Sequence, residues 1–269
     1  MAVQQVATGV WRIPLGGVNA FLVEAEEGLV LVDAGFARSP AKITEAIYEL
    51  GRRPEDVRAI LATHLHRDHT GGLAEMKRRT GAEVWMHPYD AALVRQGVRG
   101  RPYGIGPSAI RGATQWVMGV LPERHAEPVA VEHEVSDGEE LPFAGLRAVH
   151  APGHTLGHTA FWLPRDGGVL FVGDAAANVL RLGMSPIYED WDEGARTLAR
   201  LATLDFEVAC FAHGRPIRAR ASARFRARFA AAEAADETGA PDTVTAPDAS
   251  EETGAPDTAN AADAPPEQS

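Results

Sequence analysis

Six consecutive residues of this chain, His64-Leu65-His66-Arg67-Asp68-His69, carry four groups able to bind a metal ion. In an extended segment His64 and His66 face the same way, and a turn into a following helix brings Asp68 and His69 round to a neighbouring position. One loop can therefore serve two metal subsites. Imidazole and carboxylate suit Zn²⁺, and a hydrolytic site needs protein ligands that leave a coordination position open for water. A hydrogen-bonding role is the ordinary fate of an isolated histidine. Three imidazoles packed together repel one another on protonation unless a metal compensates them. Three later apolar runs each end on a further candidate ligand. His154 lies in Pro152-Gly-His-Thr-Leu-Gly-His158, Asp174 follows Val172-Gly173, and His213 stands between Ala212 and Gly214.

The elements that must position these residues alternate between strand and helix patterns. Val18 to Val23 and Leu29 to Val32 are short apolar, partly β-branched runs, the second ended by Asp33-Ala34-Gly35. Ile43, Ala46, Ile47 and Leu50 recur at helical spacing between Ser39 and Gly51. Val57 to Ala62 predicts a strand that runs directly into the histidine cluster, and a helix follows from about Gly71 to Arg79. Further strands are predicted at Val84 to Met86, Val129 to Val135, Leu146 to Val149, Thr159 to Leu163, Val169 to Val172 and Val208 to Ala212. Helices are predicted at Asp192 to Leu204 and Ala219 to Ala235. Residues 97 to 128, rich in Gly, Pro and Arg, read as an inserted cap, with a possible helix from Ile110 to Leu121. Such a mixture suggests an α+β architecture of two sheets faced by helices.

Composition narrows the setting. The net charge of −11 is uneven, since nine acidic residues and no basic one lie between Asp236 and Ser269. The body is nearly neutral, which argues against nucleic acid as a partner. Residues 231 to 269 contain a near repeat of Glu-Thr-Gly-Ala-Pro-Asp-Thr and too little apolar surface to offset the entropy of ordering, so a disordered acidic tail is expected beyond a domain at 1–230. No apolar run approaches the roughly 18 residues that span a bilayer. Cys210, the single cysteine, permits no intrachain disulfide and reads as core. A cytoplasmic protein without a membrane partner is the expectation.

From about Val10 to Pro216 the chain resembles the metallo-β-lactamase superfamily: HxHxDH, PGHTxGH, GD and a final HG occur in the family's order, and Val32-Asp33-Ala34-Gly35 matches its upstream VDxG element. The resemblance implies a four-layer αβ/βα sandwich holding two Zn²⁺, with iron or manganese as alternatives. Carried over, His64, His66 and His154 would hold one metal and Asp68, His69 and His213 the second, with Asp174 bridging. Asp33, Thr63 and His158 would orient the ligands. Two Zn²⁺, two carboxylates and a bridging hydroxide sum to about +1, a charge suited to attacking a polarised carbonyl, with Asp68 or Asp174 steering the nucleophile and passing its proton on.

Departures from the family narrow the substrate. β-Lactamases of this fold usually lack a bridging Asp at the place of Asp174, which argues against β-lactams. Glyoxalase II adds a helical substrate-binding region after its last histidine, where this chain has about one helix. Acyl-homoserine lactonases usually place a Tyr soon after the bridging Asp, whereas the nearest here is Tyr188. The cap residues Tyr103, Ile105, Trp116 and Met118, with Tyr188, are candidates to line an apolar pocket. The reading is a binuclear hydrolase of a small-molecule carboxylic ester, thioester or lactone. Two alternatives are a mono-iron persulfide dioxygenase and a nuclease using the arginines from Arg215 to Arg228. Arg220, Arg224 and Arg228 share a helix face opposite Phe225 and Phe229, which reads as a solvated face. The oligomeric state is left open.

Overall fold

The computed structural model describes residues 3–104 and 126–230. The acidic tail, His125, the possible helix from Ile110 to Leu121, and the candidate pocket residues Ile105, Trp116 and Met118 lie outside the described residues.

A seven-stranded sheet runs in the order β1 (Gln4–Ala7), β2 (Val10–Pro14), β3 (Asn19–Ala25), β4 (Gly28–Val32), β5 (Val57–Leu61), β6 (Glu83–Met86) and β7 (His133–Glu134). Pairing is antiparallel from β1 to β4 and parallel from β4 to β7. A four-stranded sheet has the order β13 (Val208–Phe211), β10 (Val169–Gly173), β9 (Thr159–Leu163) and β8 (Arg147–His150), with β10 and β13 parallel. A small hairpin joins β11 (Ala177–Asn178) to β12 (Leu182–Gly183).

Alternation along the strands sorts their side chains into layers. Val30, Val32, Ala59 and Leu61 point inward to meet Phe161, Leu163, Phe171 and Cys210 of the second sheet. Leu29, Leu31 and Ile60 point outward and are covered by α1 (Pro40–Glu49), α3 (Leu73–Thr80) and α4 (Pro88–Val94) through Ile43, Ile47, Met76 and Val94. On the far side Leu170, Val172 and Phe211 pack under α5 (Trp191–Ala202) and α6 (Ala221–Phe229), which contribute Leu198, Leu201, Phe225 and Phe229. Each large side chain withdrawn in this way contributes about 1.5–3 kcal/mol before entropy is set against it. The result is the expected αβ/βα sandwich. No helix among the described residues is long and apolar enough to cross a membrane.

Several elements differ from expectation. The predicted strand from Val129 to Val135 shortens to two residues, because side chains take over its bonding: Arg95 Nη2 donates to Val131 O at 2.7 Å, and Glu132 Oε2 accepts from Val84 N at 3.0 Å. The helix after the histidine cluster is split into α2 (Arg67–Thr70) and α3 at Gly71-Gly72, where Gly72 N donates to Gly35 O at 3.0 Å. Strands β1 and β2 precede the first predicted one, and α4 occupies a stretch with no predicted element. In α6 the phenylalanines are buried and Arg224 and Arg228 exposed, as their spacing suggested.

The layering has one consequence for chemistry. β4, β5, β10 and β13 all end at the same edge of the sandwich, so Asp33, Thr63, His64, Asp174 and His213, which follow those strands, are delivered to one place.

Candidate metal centre

His64 Nε2 lies 3.0 Å from His66 Nδ1, which lies 3.0 Å from His154 Nε2. Asp174 Oδ2 stands 3.3 Å from His213 Nε2, 3.4 Å from His154 Nε2 and 3.6 Å from His69 Nε2. Asp68 Oδ2 is 3.3 Å from His213 Nε2 and 3.8 Å from His69 Nε2. The donor atoms fall into overlapping groups: His64, His66 and His154; Asp68, His69 and His213; and His64, His69 and Asp174. Asp174 thus sits between an all-imidazole set and a set that already holds a carboxylate.

The surroundings fix which nitrogens can donate a lone pair. His154 Nδ1 donates to Ile187 O at 2.8 Å and His213 Nδ1 to Gly17 O at 2.7 Å, so each Nε2 faces the centre. Asp33 Oδ2 accepts from His69 Nδ1 at 2.8 Å and from Thr63 Oγ1 at 2.9 Å. With its one proton committed to Asp33, Thr63 Oγ1 accepts from His64 Nδ1 at 3.0 Å, which turns His64 Nε2 inward too. Asp33 therefore orients one ligand directly and another through Thr63, and Thr63 N fixes it from a third side at 2.8 Å. Asp33 has a left-handed backbone, φ 62°, which Asp tolerates better than most residues.

His66 Nδ1 faces both inward lone pairs at 3.0 Å, and a single ring proton could serve only one of them, so at least one pair of lone pairs is opposed unless a cation lies between them. His69 Nε2 and Asp174 Oδ1 are likewise buried without a hydrogen-bond partner among the described residues. Nitrogens about 2.0–2.1 Å from a tetrahedral Zn²⁺ are roughly 3.3 Å apart, close to the observed spacing. The donor set therefore fits divalent metal ions.

Electrostatics separates the two sets. Burial, then the neighbouring imidazoles, hold His64 well below the usual histidine range. Burial and His154 bring His66 down to about 3, and His154 is lowered by burial. Burial also lowers His69, but Asp33, Asp174 and Asp68 outweigh it and raise it to about 10. Asp174 above all pushes His213 up to about 12. Burial raises Asp68 and Asp174, yet the histidines facing them pull both below the usual carboxylate range. Burial thus favours the neutral form of the three-histidine set, whereas the carboxylates favour the protonated form of His69 and His213.

Of the remaining residues singled out in the sequence, His158 Nε2 accepts from Asp174 N at 3.0 Å and so holds the backbone of Asp174. Gly173 is required beside it, since a Cβ there would lie 2.6 Å from His158 Nε2 and φ is +56°. Tyr103 packs its ring 5.7 Å from that of His66. Tyr188 is fully buried behind His154, its hydroxyl donates to Ala175 O at 2.6 Å, and it accepts from Ser185 N at 3.2 Å. It braces the loop that carries Ile187. Cys210 is buried in the inter-sheet core, and burial raises its thiol. His133 stacks on Trp85 and His87 on His150, outside the centre.

Sequence reasoning missed Asp90. This fully buried carboxylate accepts from Leu65 N, Thr155 Oγ1, Gly157 N and Arg101 Nη1. Its position on the buried face of α4 with Ala91 and Val94, an acid on an apolar stripe, is the one signal that could have marked it.

Comparison with known proteins agrees with this geometry. The chain is 31% identical over 192 residues to a hydroxyacylglutathione hydrolase of Chromohalobacter salexigens, covering 70% of this chain and 58% of the relative. It is 29% identical to the lactamase-like protein aptB of Emericella nidulans, covering 74% and 52%. The chain thus spans little more than half the length of these relatives. A metallo-beta-lactamase of Cronobacter sakazakii with a HARLDQ motif superposes with a TM-score of 0.67 at 23% identity, covering 88% of this chain and 93% of that one, which shows the fold alone. The model of the metallo-beta-lactamase superfamily matches residues 13–213, and the chain belongs to that superfamily.

Proposed function

We propose that the chain is a metal-dependent hydrolase with two metal ions, zinc in the simplest case, acting on a small-molecule carboxylic ester, thioester or lactone in the cytoplasm. The observation that carries this reading is the place of Asp174 Oδ2, within 3.3–3.6 Å of His69, His154 and His213, where one carboxylate serves both donor sets. Kinship with hydroxyacylglutathione hydrolases supports acyl chemistry.

Divalent ions bound there supply a nucleophile from water at neutral pH and a Lewis acid for the carbonyl oxygen. The chain's own residues do the rest. Asp33, Thr63, Ile187 O and Gly17 O fix four imidazoles in their binding tautomers. Asp68 is the carboxylate suited to proton transfer, because its side chain is 22% exposed against 8% for Asp174 and it lies beside His213. Tyr103, against His66, is placed to contact an acyl group.

The iron-dependent persulfide dioxygenase reading keeps one supporting observation: Asp68, His69 and His213 make a two-histidine, one-carboxylate set of the kind used by non-haem iron. A panel of lactones, thioesters, simple esters, β-lactams and a persulfide, each assayed with zinc and with iron, separates the two. Hydrolysis of one acyl class that chelation abolishes is the expected result. Oxygen uptake with the persulfide and no hydrolysis would overturn the proposal.

A further inference from the structure

The buried carboxylate of Asp90 touches no candidate ligand, yet it holds both loops that bear the three-histidine set. Its Oδ2 accepts from Leu65 N at 3.0 Å and from Thr155 Oγ1 at 2.7 Å. Leu65 stands between His64 and His66, and Thr155 follows His154. Its Oδ1 accepts from Gly157 N at 3.2 Å and from Arg101 Nη1 at 2.8 Å. Three of these four partners can only donate, and the two carboxyl oxygens together meet all four. Arg101 continues to Glu189, whose side chain is 7% exposed and whose Oε2 accepts from Leu156 N at 2.9 Å. The same stretch clasps His154 twice, through Ile187 O on its ring and Glu189 N on its carbonyl.

The two donor sets differ in what they lack. Asp68 belongs to the set of His69 and His213, whereas the set of His64, His66 and His154 is neutral apart from its share in Asp174. A distance change of a few tenths of an ångström between two independent loops would spread its three nitrogens.

We propose that Asp90 is the positioning residue of the three-histidine subsite: it locks the His64–His66 loop to the His154 loop. The inference rests on the metal reading of the centre. Residues that orient metal ligands typically govern affinity by 10–100-fold, and the effect here falls on one subsite.

The test uses the full chain, stripped of metal and titrated with Zn²⁺ against a chromophoric chelator. His154→Ala and His213→Ala identify which binding step belongs to which subsite. In Asp90→Asn, whose amide N–H must face a donor, the three-histidine step is expected to weaken roughly 10–100-fold while the other step stays within about threefold. Thr155→Val removes one link while keeping the Asp90 side chain, and a smaller loss at the same step is expected, so the proposal stays testable if the Asn variant does not fold. Metal-free melting temperatures accompany both. Equal weakening of both steps, or lowered melting temperature with unchanged binding, would overturn the proposal by making Asp90 merely structural. Absence of any two-step binding in the parent chain would instead overturn the binuclear reading on which it rests.

Discussion

Replacing Asp33 by Asn removes a charge while keeping the side-chain shape and the left-handed backbone at φ 62°, which Asn also tolerates. In the parent chain the carboxylate accepts from Thr63 N at 2.8 Å, Thr63 Oγ1 at 2.9 Å and His69 Nδ1 at 2.8 Å. An amide cannot reproduce this: its N–H₂ must face either His69 Nδ1–H or Thr63 N–H. At least one hydrogen bond to a charged acceptor is lost, worth about 1.5–3 kcal/mol. At about 1.4 kcal/mol per decade that is roughly 10–150-fold in metal affinity, in line with the range for groups that orient metal ligands. The loss should appear in the binding step of the Asp68–His69–His213 set, read by chelator competition. Asp33→Ala should add strain of about 1–2 kcal/mol from the left-handed backbone, visible in the melting temperature of the metal-free chain. Metal binding by Asp33→Asn within threefold of the parent would refute the reasoning and leave Asp33 a purely structural group.

Two further expectations concern the scaffold. His87, stacked on His150 at 4.0 Å, is lowered to about 4 by burial and by His150. An unfolded histidine titrates near 6.5, so the folded state binds fewer protons between the two values and stability is lost as the pH falls from 6.5 towards 4. His87→Asn keeps a helix-capping side chain but cannot titrate, and metal-free melting curves between pH 7 and pH 4 should fall less steeply for it; identical slopes would contradict the assignment. Gly194 of α5 lies against the ring of Tyr188, where a Cβ would come inside contact distance. Since that ring is buried and tied to Ala175 O, Gly194→Ala should cost about 1–3 kcal/mol, roughly 2–12 °C in Tm, and an unchanged Tm would show that the Tyr188 loop can yield.

Much of the fold was legible because strand alternation and helix period are local. The runs at Leu29, Val57, Val169 and Val208 become β4, β5, β10 and β13, and all four end where the candidate ligands begin. Histidines and aspartates crowded after apolar runs have few other uses, which is why the cluster could be read before the edge that gathers it. What escaped was what depends on distant partners. Strand β7 is short because Arg95 and Glu132 side chains replace ladder bonds. Asp90 is invisible as a positioning group until α4 is laid across two loops far from it in sequence. Tyr188 does lie beside His154, but the direction of its hydroxyl, set by Ala175 and Ser185, depends on partners that local pattern does not show.

The central claim, two metals sharing Asp174, is tested most directly by counting metal ions per chain in purified parent protein and in Asp174→Ala by inductively coupled plasma mass spectrometry. The account predicts two zinc ions in the parent and no more than one in the variant. One iron per parent chain, or two metals retained by the variant, would contradict it.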